Sequence, residues 1–330
     1  MKYITNLSNN PHYNLAFEEY CFKNLPREED YVILWINGPA IIVGKNQNTV
    51  GEINQRYVEK NNIQIVRRVT GGGAVYHDLG NLNFSLISNQ KGDEKIDFKE
   101  INVPILKSLE KLGVKAEFTG RNDLTVDGKK MSGIAQSVHR KRILNHGTIL
   151  FDTDLTVLSD ALNVKADKIE SKGVKSVKSR VTNIKPYLEE DADIFTFKDV
   201  LLKNIFEYHN EPMEELILSD DQKAEIDKLY EERYSKWEWN YGESPDFTYK
   251  NYKRYPFGSL EIGLKVRNGE IIESKIYGDF FGVRDVSELE EKLNGQRYER
   301  KSLEESLKNE PFDKYFGAIS TEEFVDLLFD

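Results

Sequence analysis

The chain has 330 residues, of which 39% are hydrophobic and 31% charged, with a formal net charge of -10. That acidity argues against a main role in non-specific nucleic-acid binding, which needs a basic face to displace counterions. No apolar run approaches the ~20 residues of a membrane helix, "MKYITNLSNN" lacks a charged-then-apolar leader pattern, and the lone Cys21 permits no internal disulfide. A cytoplasmic protein with no membrane or nucleic-acid partner is expected, and the length suggests about two domains.

In chain order, "NPHYNLAFEEYCF" predicts a helix capped by Asn10 with Pro11 at its first position. Tyr13, Ala16, Phe17, Tyr20 and Cys21 form its apolar stripe. "YVILWIN" and "AIIVG" read as strands around a Gly38-Pro39 turn. "NQRYVEKN" is a short polar helix and "IQIVRRV" another strand. A glycine turn and a half-polar strand follow in "RRVTGGGAVYHDLGNLNFS". "DFKEINVPILKSLEKLG" is an amphipathic helix closed by Gly113. "VKAEF", "DLTV", "KKMSGIAQSV" and "RILNHGTILF" are strands. Strands in adjacent runs with few helices between them predict an α+β fold with a largely antiparallel or mixed sheet.

Residues 165–183, "KADKIESKGVKSVKSRVTN", turn basic, and their centre reads as a loop without apolar periodicity. Helices continue to about Trp239. The turn formers of "WNYGESPDF" then mark a boundary, giving expected domains 1–244 and 245–330. In the second, "GSLEIGLKVRNGEIIESKIYGDFF" reads as strands joined by an Asn268-Gly269 hairpin turn, with helices to the end.

Two stretches carry chemistry. In "DLTVDGKKMSG", Asp127-Gly128 is a two-residue hairpin turn. Counting outward pairs Val126 with Lys129, Thr125 with Lys130, Leu124 with Met131 and Asp123 with Ser132. Alternation then puts Asp123, Thr125, Lys130 and Ser132 on one face, and Leu124, Val126 and Met131 on the core face. Lys130, one step deeper than Lys129, becomes the lysine of a polar cluster. A solvated strand face with an ordinary lysine satisfies the same pattern.

In "RRVTGGGAVYHDLGNLNFS", Gly71, Gly72 and Gly73 let a ligand approach the main chain, and their N–H groups can cradle an anion. Arg68 adds a permanent charge and a forked donor. A turn near residues 78–81 puts Ala74, Tyr76, Asn83 and Ser85 on one face, and Val75, His77, Leu82 and Phe84 on the other, with the register left open. The stretch is neither a P-loop nor a dinucleotide-binding fingerprint. A glycine-rich surface turn is the alternative.

Together "RRVTGGGAVYHDLGNLNFS", "GRNDLTVDGKKMSG", "HGTILF" and "SKGVKSVKSRVTN" resemble the lipoate–protein ligase family. The likeness extends from "NLAFEEY" and "VGKNQN" to "KWEWNYGESPDF", nearly the whole chain. It implies a biotin/lipoate ligase-like catalytic domain of mixed sheets and helices, followed by a small α/β accessory domain. Matched residue by residue, it implies that Lys130 is catalytic. It implies that Arg68, Gly71, Gly72, Gly73, Ala74, Val75 and Tyr76 bind ATP or the acyl-adenylate. Ser176 and Val177 fall in the family's adenylate-binding loop, and Asn83, Asp123 and His146 complete the candidate set. Thr70 replaces a common Ser but keeps the hydroxyl. Lys45 stands where some relatives carry Arg and receives no contact.

The implied reaction joins lipoate to ATP, giving lipoyl-AMP and diphosphate, then passes the acyl group to a lysine of an acceptor. The acceptors expected are lipoyl domains of 2-oxoacid dehydrogenase acyltransferase subunits or the glycine-cleavage H protein, with the enzyme a monomer. Mg²⁺ would balance the triphosphate; no clear ligand set appears, and Asp123 is the first candidate. The Lys172, Lys175, Lys178 and Arg180 cluster is expected to order over the adenylate. His146 is equally readable as a structural histidine, and His77 as core-facing with one hydrogen bond.

Rival readings are an octanoyl or lipoyl transferase or amidotransferase between carriers, a biotin ligase, and a non-catalytic binder of lipoylated domains. A carrier-to-carrier enzyme with a thiol nucleophile would have only Cys21, on an apolar helix stripe. The biotin ligases' basic Gly-Arg-Gly-rich loop is absent.

Overall fold

A computed structural model describes residues 1–90, 98, 102–120, 122–162, 180–241, 249–267 and 269–329. The fold is α+β. Its strands are β1 (Lys2–Tyr3), β2 (Tyr31–Ile36), β3 (Ala40–Val43), β4 (Gln64–Arg67), β5 (Val75–His77), β6 (Asn81–Asn89), β7 (Glu117–Thr119), β8 (Asp123–Val126), β9 (Lys129–His139), β10 (Arg142–Leu150), β11 (Tyr249–Tyr255), β12 (Gly258–Arg267) and β13 (Glu270–Gly278). They form a seven-stranded sheet in the order β1-β2-β6-β10-β9-β8-β7, a small sheet β4-β3-β5, and a C-terminal sheet β11-β12-β13.

The expected hairpin between residues 74 and 85 is not formed. β6 pairs with β2 on one side and β10 on the other, while β5 is an edge of the small sheet, paired to β3. β6 is buried over seven consecutive residues, which suits a central strand rather than a hairpin arm. The chain thus leaves the large sheet at Gly38-Pro39 and returns to it through residues 78–80. Asp78 turns that corner, accepting from the Gly80 amide at 2.9 Å and the Asp154 amide at 2.8 Å. Because β5 and β6 lie in different sheets, His77 and Asn83, expected on opposite faces, line the same cleft.

The first helix, Pro11–Asn24, is capped by the Asn10 side chain, which accepts from the amides of His12 and Tyr13. A single apolar stripe was expected, yet every residue from Asn14 to Phe22 is buried. The helix is wedged between elements, so it buries two adjacent carboxylates on different sides. Glu19 accepts from Lys23 at 2.6 Å, from Arg233 at 2.7 Å and from the Tyr234 hydroxyl at 2.7 Å. This ties the helix to the segment following Asp220–Leu229.

Burial alone would push the Glu19 carboxyl up. The hydrogen bonds from Lys23 and Tyr234 and the charges of Lys23 and Arg233 outweigh it and hold the group below its ordinary value. A carboxyl lowered on folding adds stability above its unfolded pKa of ~4.3, and that contribution disappears as pH falls through the folded value. Urea midpoints should therefore drop as pH is lowered below about 4.5. Glu19→Gln should lower stability at pH 7 and flatten that acid slope; an identical slope in the variant would show that Glu19 does not contribute.

The helix Val103–Lys111 stops as expected, with Gly113 at φ +83°. The C-terminal sheet has its own core, in which Leu260, Ile276, Leu289, Leu303 and Phe324 are buried together. Gly269 takes φ +77° between β12 and β13, while Asn268 and the expected boundary at residues 244–245 lie outside the described residues. Two backbone bonds join this unit to the glycine turn region: Gly72 donates to the Phe280 carbonyl at 3.2 Å, and Gly278 to that of Asn46 at 2.7 Å. Lys45 pairs with Asp285 at 2.6 Å.

Candidate active site

The β8–β9 hairpin turns through Asp127 and Gly128, both at positive φ, the left-handed pair that a type I′ turn needs. Thr125 opposes Lys130 and Val126 opposes Lys129, as counted. Beyond them a bulge corrects the register: Leu124 opposes Ser132 and Asp123 opposes Gly133. Met131 is the residue left over. It enters the core beside Leu124 and Val126, so the apolar face survives the shift. Burying a methionine rewards the bulge, which also re-aims the strand next to the lysine.

Lys130 Nζ lies 2.8 Å from Asp123 Oδ1, with the two side chains 36% and 25% exposed. The pair is half-buried, reachable by a ligand yet oriented. Gly133 makes room for it: a Cβ there would come within 3.1 Å of Nζ. The Lys130 backbone is held from the other side as well, its carbonyl accepting from the Thr182 amide at 2.9 Å. The end of the expected adenylate loop therefore lies beside the lysine. Ser176, Val177, Lys172, Lys175 and Lys178 fall outside the described residues.

The two arginines before the glycines are braces. Arg67 donates to the carbonyls of Gly44, Lys45, Gln47, Trp239 and Asn240 and to Thr49 Oγ1. Arg68 donates from Nε to Thr70 Oγ1 at 2.9 Å and from Nη1 to the Ile42 carbonyl at 3.0 Å. Its Nη2 reaches the carbonyls of Gly71 at 2.7 Å and Gly73 at 2.9 Å. Burial pulls the Arg68 pKa down to about 10, against the charge of Glu18 that raises it, so it stays cationic at neutral pH. The glycines divide their work. A Cβ on Gly71 would strike the Phe280 carbonyl at 2.4 Å, and one on Gly72, at φ +93°, the Phe281 ring at 2.7 Å. A Cβ on Gly73 would meet nothing within 4 Å. Gly73 is where the main chain faces open space.

These parts meet in an open cleft between the large and small sheets. Of the expected residues, Lys130, Arg68, Gly72, Gly73, Ala74, Val75, Asn83 and His146 line it. Gly71 faces a neighbouring cleft instead. Tyr76 does not reach the cleft: its ring packs with Ile41 and Val58 in a core, and burial pushes its hydroxyl up to about 12. Asp123 is engaged by Lys130. No group of three or more His, Cys, Asp or Glu able to hold a metal occurs among the described residues. A Mg²⁺ ion held mainly by phosphate oxygens would need no such group. Cys21 is fully buried, and that burial raises its thiol far from a thiolate.

Beneath the glycine turn lies a network that sequence reasoning missed. His146 Nδ1 is 2.8 Å from Glu18 Oε1, and its Nε2 is 2.8 Å from Thr70 Oγ1. With the carboxylate fixing the proton on Nδ1, an unbroken donor chain runs Arg68, Thr70, His146, Glu18. A second chain reaches Glu18 from Trp35 Nε1 through the Ser85 hydroxyl. The available signal was "FEEY", two adjacent acids within an apolar helix.

The cleft can therefore take a ligand with an apolar body and an anionic end. Leu15, Trp35, Ile42 and Ile134 supply apolar wall, Lys130 and Arg68 supply charge, and Gly73 supplies open backbone.

The lipoyl protein ligase A/B catalytic domain family matches residues 10–206, and the bacterial lipoate protein ligase C-terminus matches residues 244–328. A lipoate-protein ligase of Bacillus subtilis (strain 168), LplJ, is 48% identical, with all of both chains covered. Lipoate–protein ligase 1 of Staphylococcus aureus (strain Mu50 / ATCC 700699) is 44% identical over 99% of this chain and 100% of its own. Among solved structures, P. falciparum LipL1 in complex with lipoate superposes with a TM-score of 0.78 at 27% identity, covering 94% of each chain. A lipoate-protein ligase A bound with ATP gives 0.65 at 27% identity, covering 73% of this chain and 98% of that one.

Proposed function

The chain belongs to the lipoate–protein ligase family, and from that premise we propose that this cleft joins lipoate to ATP and that Lys130 is its catalytic residue. The enzyme is an ATP-dependent lipoate–protein ligase. In the first step a lipoate carboxylate oxygen attacks the α-phosphorus of ATP, and the bond to diphosphate breaks. In the second, the amine of an acceptor lysine attacks the acyl carbon, and AMP leaves. Both partners of the first step are anions. A fixed ammonium between them offsets their repulsion and stabilises the charge in transit, and holding them in line supplies much of the rest. The observation that carries the assignment is Lys130 Nζ, half-exposed in the cleft and oriented by Asp123 at 2.8 Å. The open backbone at Gly73 is the phosphate cradle, and the Arg68 brace fixes its shape. Mg²⁺ arrives on the triphosphate.

The acceptor is a lipoyl domain, from a 2-oxoacid dehydrogenase acyltransferase subunit or the H protein. The protein works as a cytoplasmic monomer, with residues 1–244 as the catalytic unit and 245–330 as the accessory one. The test is incubation with ATP, Mg²⁺ and lipoate, then mass spectrometry for bound lipoyl-AMP, followed by an apo lipoyl domain. The expected result is an acylated domain with AMP released in step. Acyl transfer from a carrier without ATP would favour the transferase reading. No adenylate and no AMP would favour a binder.

A further inference from the structure

The cleft crosses the large sheet. Lys130 stands on β9, Thr148 on the neighbouring β10 opposes Asn83 on β6, and Asn83 opposes Trp35 on β2. From β9 to β2 is three strand spacings, ~14 Å at the usual inter-strand distance. An acid with its carboxylate at Lys130 thus extends its tail toward β2, where Leu15, Trp35, Ile42 and Val75 form an apolar end.

A buried histidine interrupts that end. His77 is 4% exposed and lines the cleft. Its Nδ1 lies 3.0 Å from the Asn37 amide nitrogen. That nitrogen is a donor, so Nδ1 accepts and the ring proton sits on Nε2. Burial, with the charge of Arg68, pulls the His77 pKa down to about 3, so the ring is neutral. Its Nε2 has no hydrogen-bond partner among the described residues. Asn83 is engaged elsewhere, its oxygen accepting from Asn81 and its nitrogen donating to the Trp35 carbonyl. A buried N–H left unmade is costly, and any ligand that brings an acceptor to it relieves that cost.

We propose that His77 determines specificity: its Nε2–H meets a hydrogen-bond-accepting tail, the ring sulfurs of lipoate, and disfavours a plain alkyl tail such as that of octanoate. The inference rests on reading the cleft as an acyl-adenylate site. Sulfur is a weak acceptor, so the expected preference is modest, about tenfold in kcat/KM.

The experiment measures kcat/KM for adenylate formation from lipoate and from octanoate, in wild type, His77→Leu and His77→Gln. His77→Leu should cut the lipoate-to-octanoate ratio about five- to tenfold. His77→Gln, which restores an N–H donor, should recover much of it. An unchanged ratio in His77→Leu, or equal ratios in the two variants, would overturn the proposal. A loss of packing alone would lower both acids together and leave the ratio where it was. Should the variants not fold, wild type is compared on lipoate and on the same acid with both ring sulfurs replaced by methylenes. About tenfold preference for lipoate supports the donor; equal rates overturn it. If adenylate forms equally from both acids, the ligase reading stands and only the role of His77 falls. If neither acid gives adenylate, both fall.

Discussion

Lys130→Ala is expected to slow ATP–diphosphate exchange about 10²–10³-fold, the usual loss when one group stabilising a transition state is removed. Among the described residues, the ammonium is the one cation of the cleft with freedom to follow charge as it moves. Arg68 is locked by three hydrogen bonds to its own loop and one to the Ile42 carbonyl on β3, whereas Lys130 has, among the described residues, one carboxylate partner and is about one-third exposed. Folding should be little affected, since a half-exposed ion pair contributes only ~0–1 kcal/mol. Lys129 provides the internal control. It is the adjacent lysine, exposed beside the hairpin turn, and Lys129→Ala should retain near wild-type exchange. Near wild-type exchange in Lys130→Ala, or an equal loss in Lys129→Ala, would remove the lysine from the chemistry.

What was legible in the sequence follows from the range of the physics involved. The Asp127-Gly128 turn is local, so the pairing of Thr125 with Lys130 and the burial of Leu124, Val126 and Met131 could be counted from it. The bulge that displaced Asp123 and Ser132 was not legible, because it arises from how Met131 packs into a distant core. The corner at residues 78–80 was misread for a related reason. Two strands joined by a short turn pair by default, and only the competing partners β2 and β10 take β6 away from β5. Tyr76 was expected in the site on the strength of its neighbours, but alternation along β5 turns its ring to the core behind. Glu18 escaped notice because one stripe was sought on a helix that is buried on several sides.

The arginine beside the glycines supplies the second large effect. Arg68→Lys keeps the charge and should still destabilise the fold by roughly 2–4 kcal/mol. The guanidinium spreads its donors over Thr70 Oγ1, the Ile42 carbonyl and the carbonyls of Gly71 and Gly73, at 2.7–3.0 Å. Four of its five N–H groups are thereby used. A lysine offers three donors from one point and cannot serve acceptors lying on different sides of a planar fork. At least one or two buried acceptors lose their partner, each at ~1–3 kcal/mol. The urea midpoint should fall while the m-value stays unchanged, since the surface exposed on unfolding is the same. Adenylation should fall too, because Arg68 holds the Gly71 and Gly73 carbonyls, in the peptides before and after the one that carries the Gly73 amide, and so constrains the direction of that amide. The combination separates the two cations: Lys130→Ala loses chemistry with stability kept, and Arg68→Lys loses both. An unchanged midpoint with adenylation abolished would mean that Arg68 contacts the anion directly through its remaining N–H, and that the glycine turn keeps its shape without the brace.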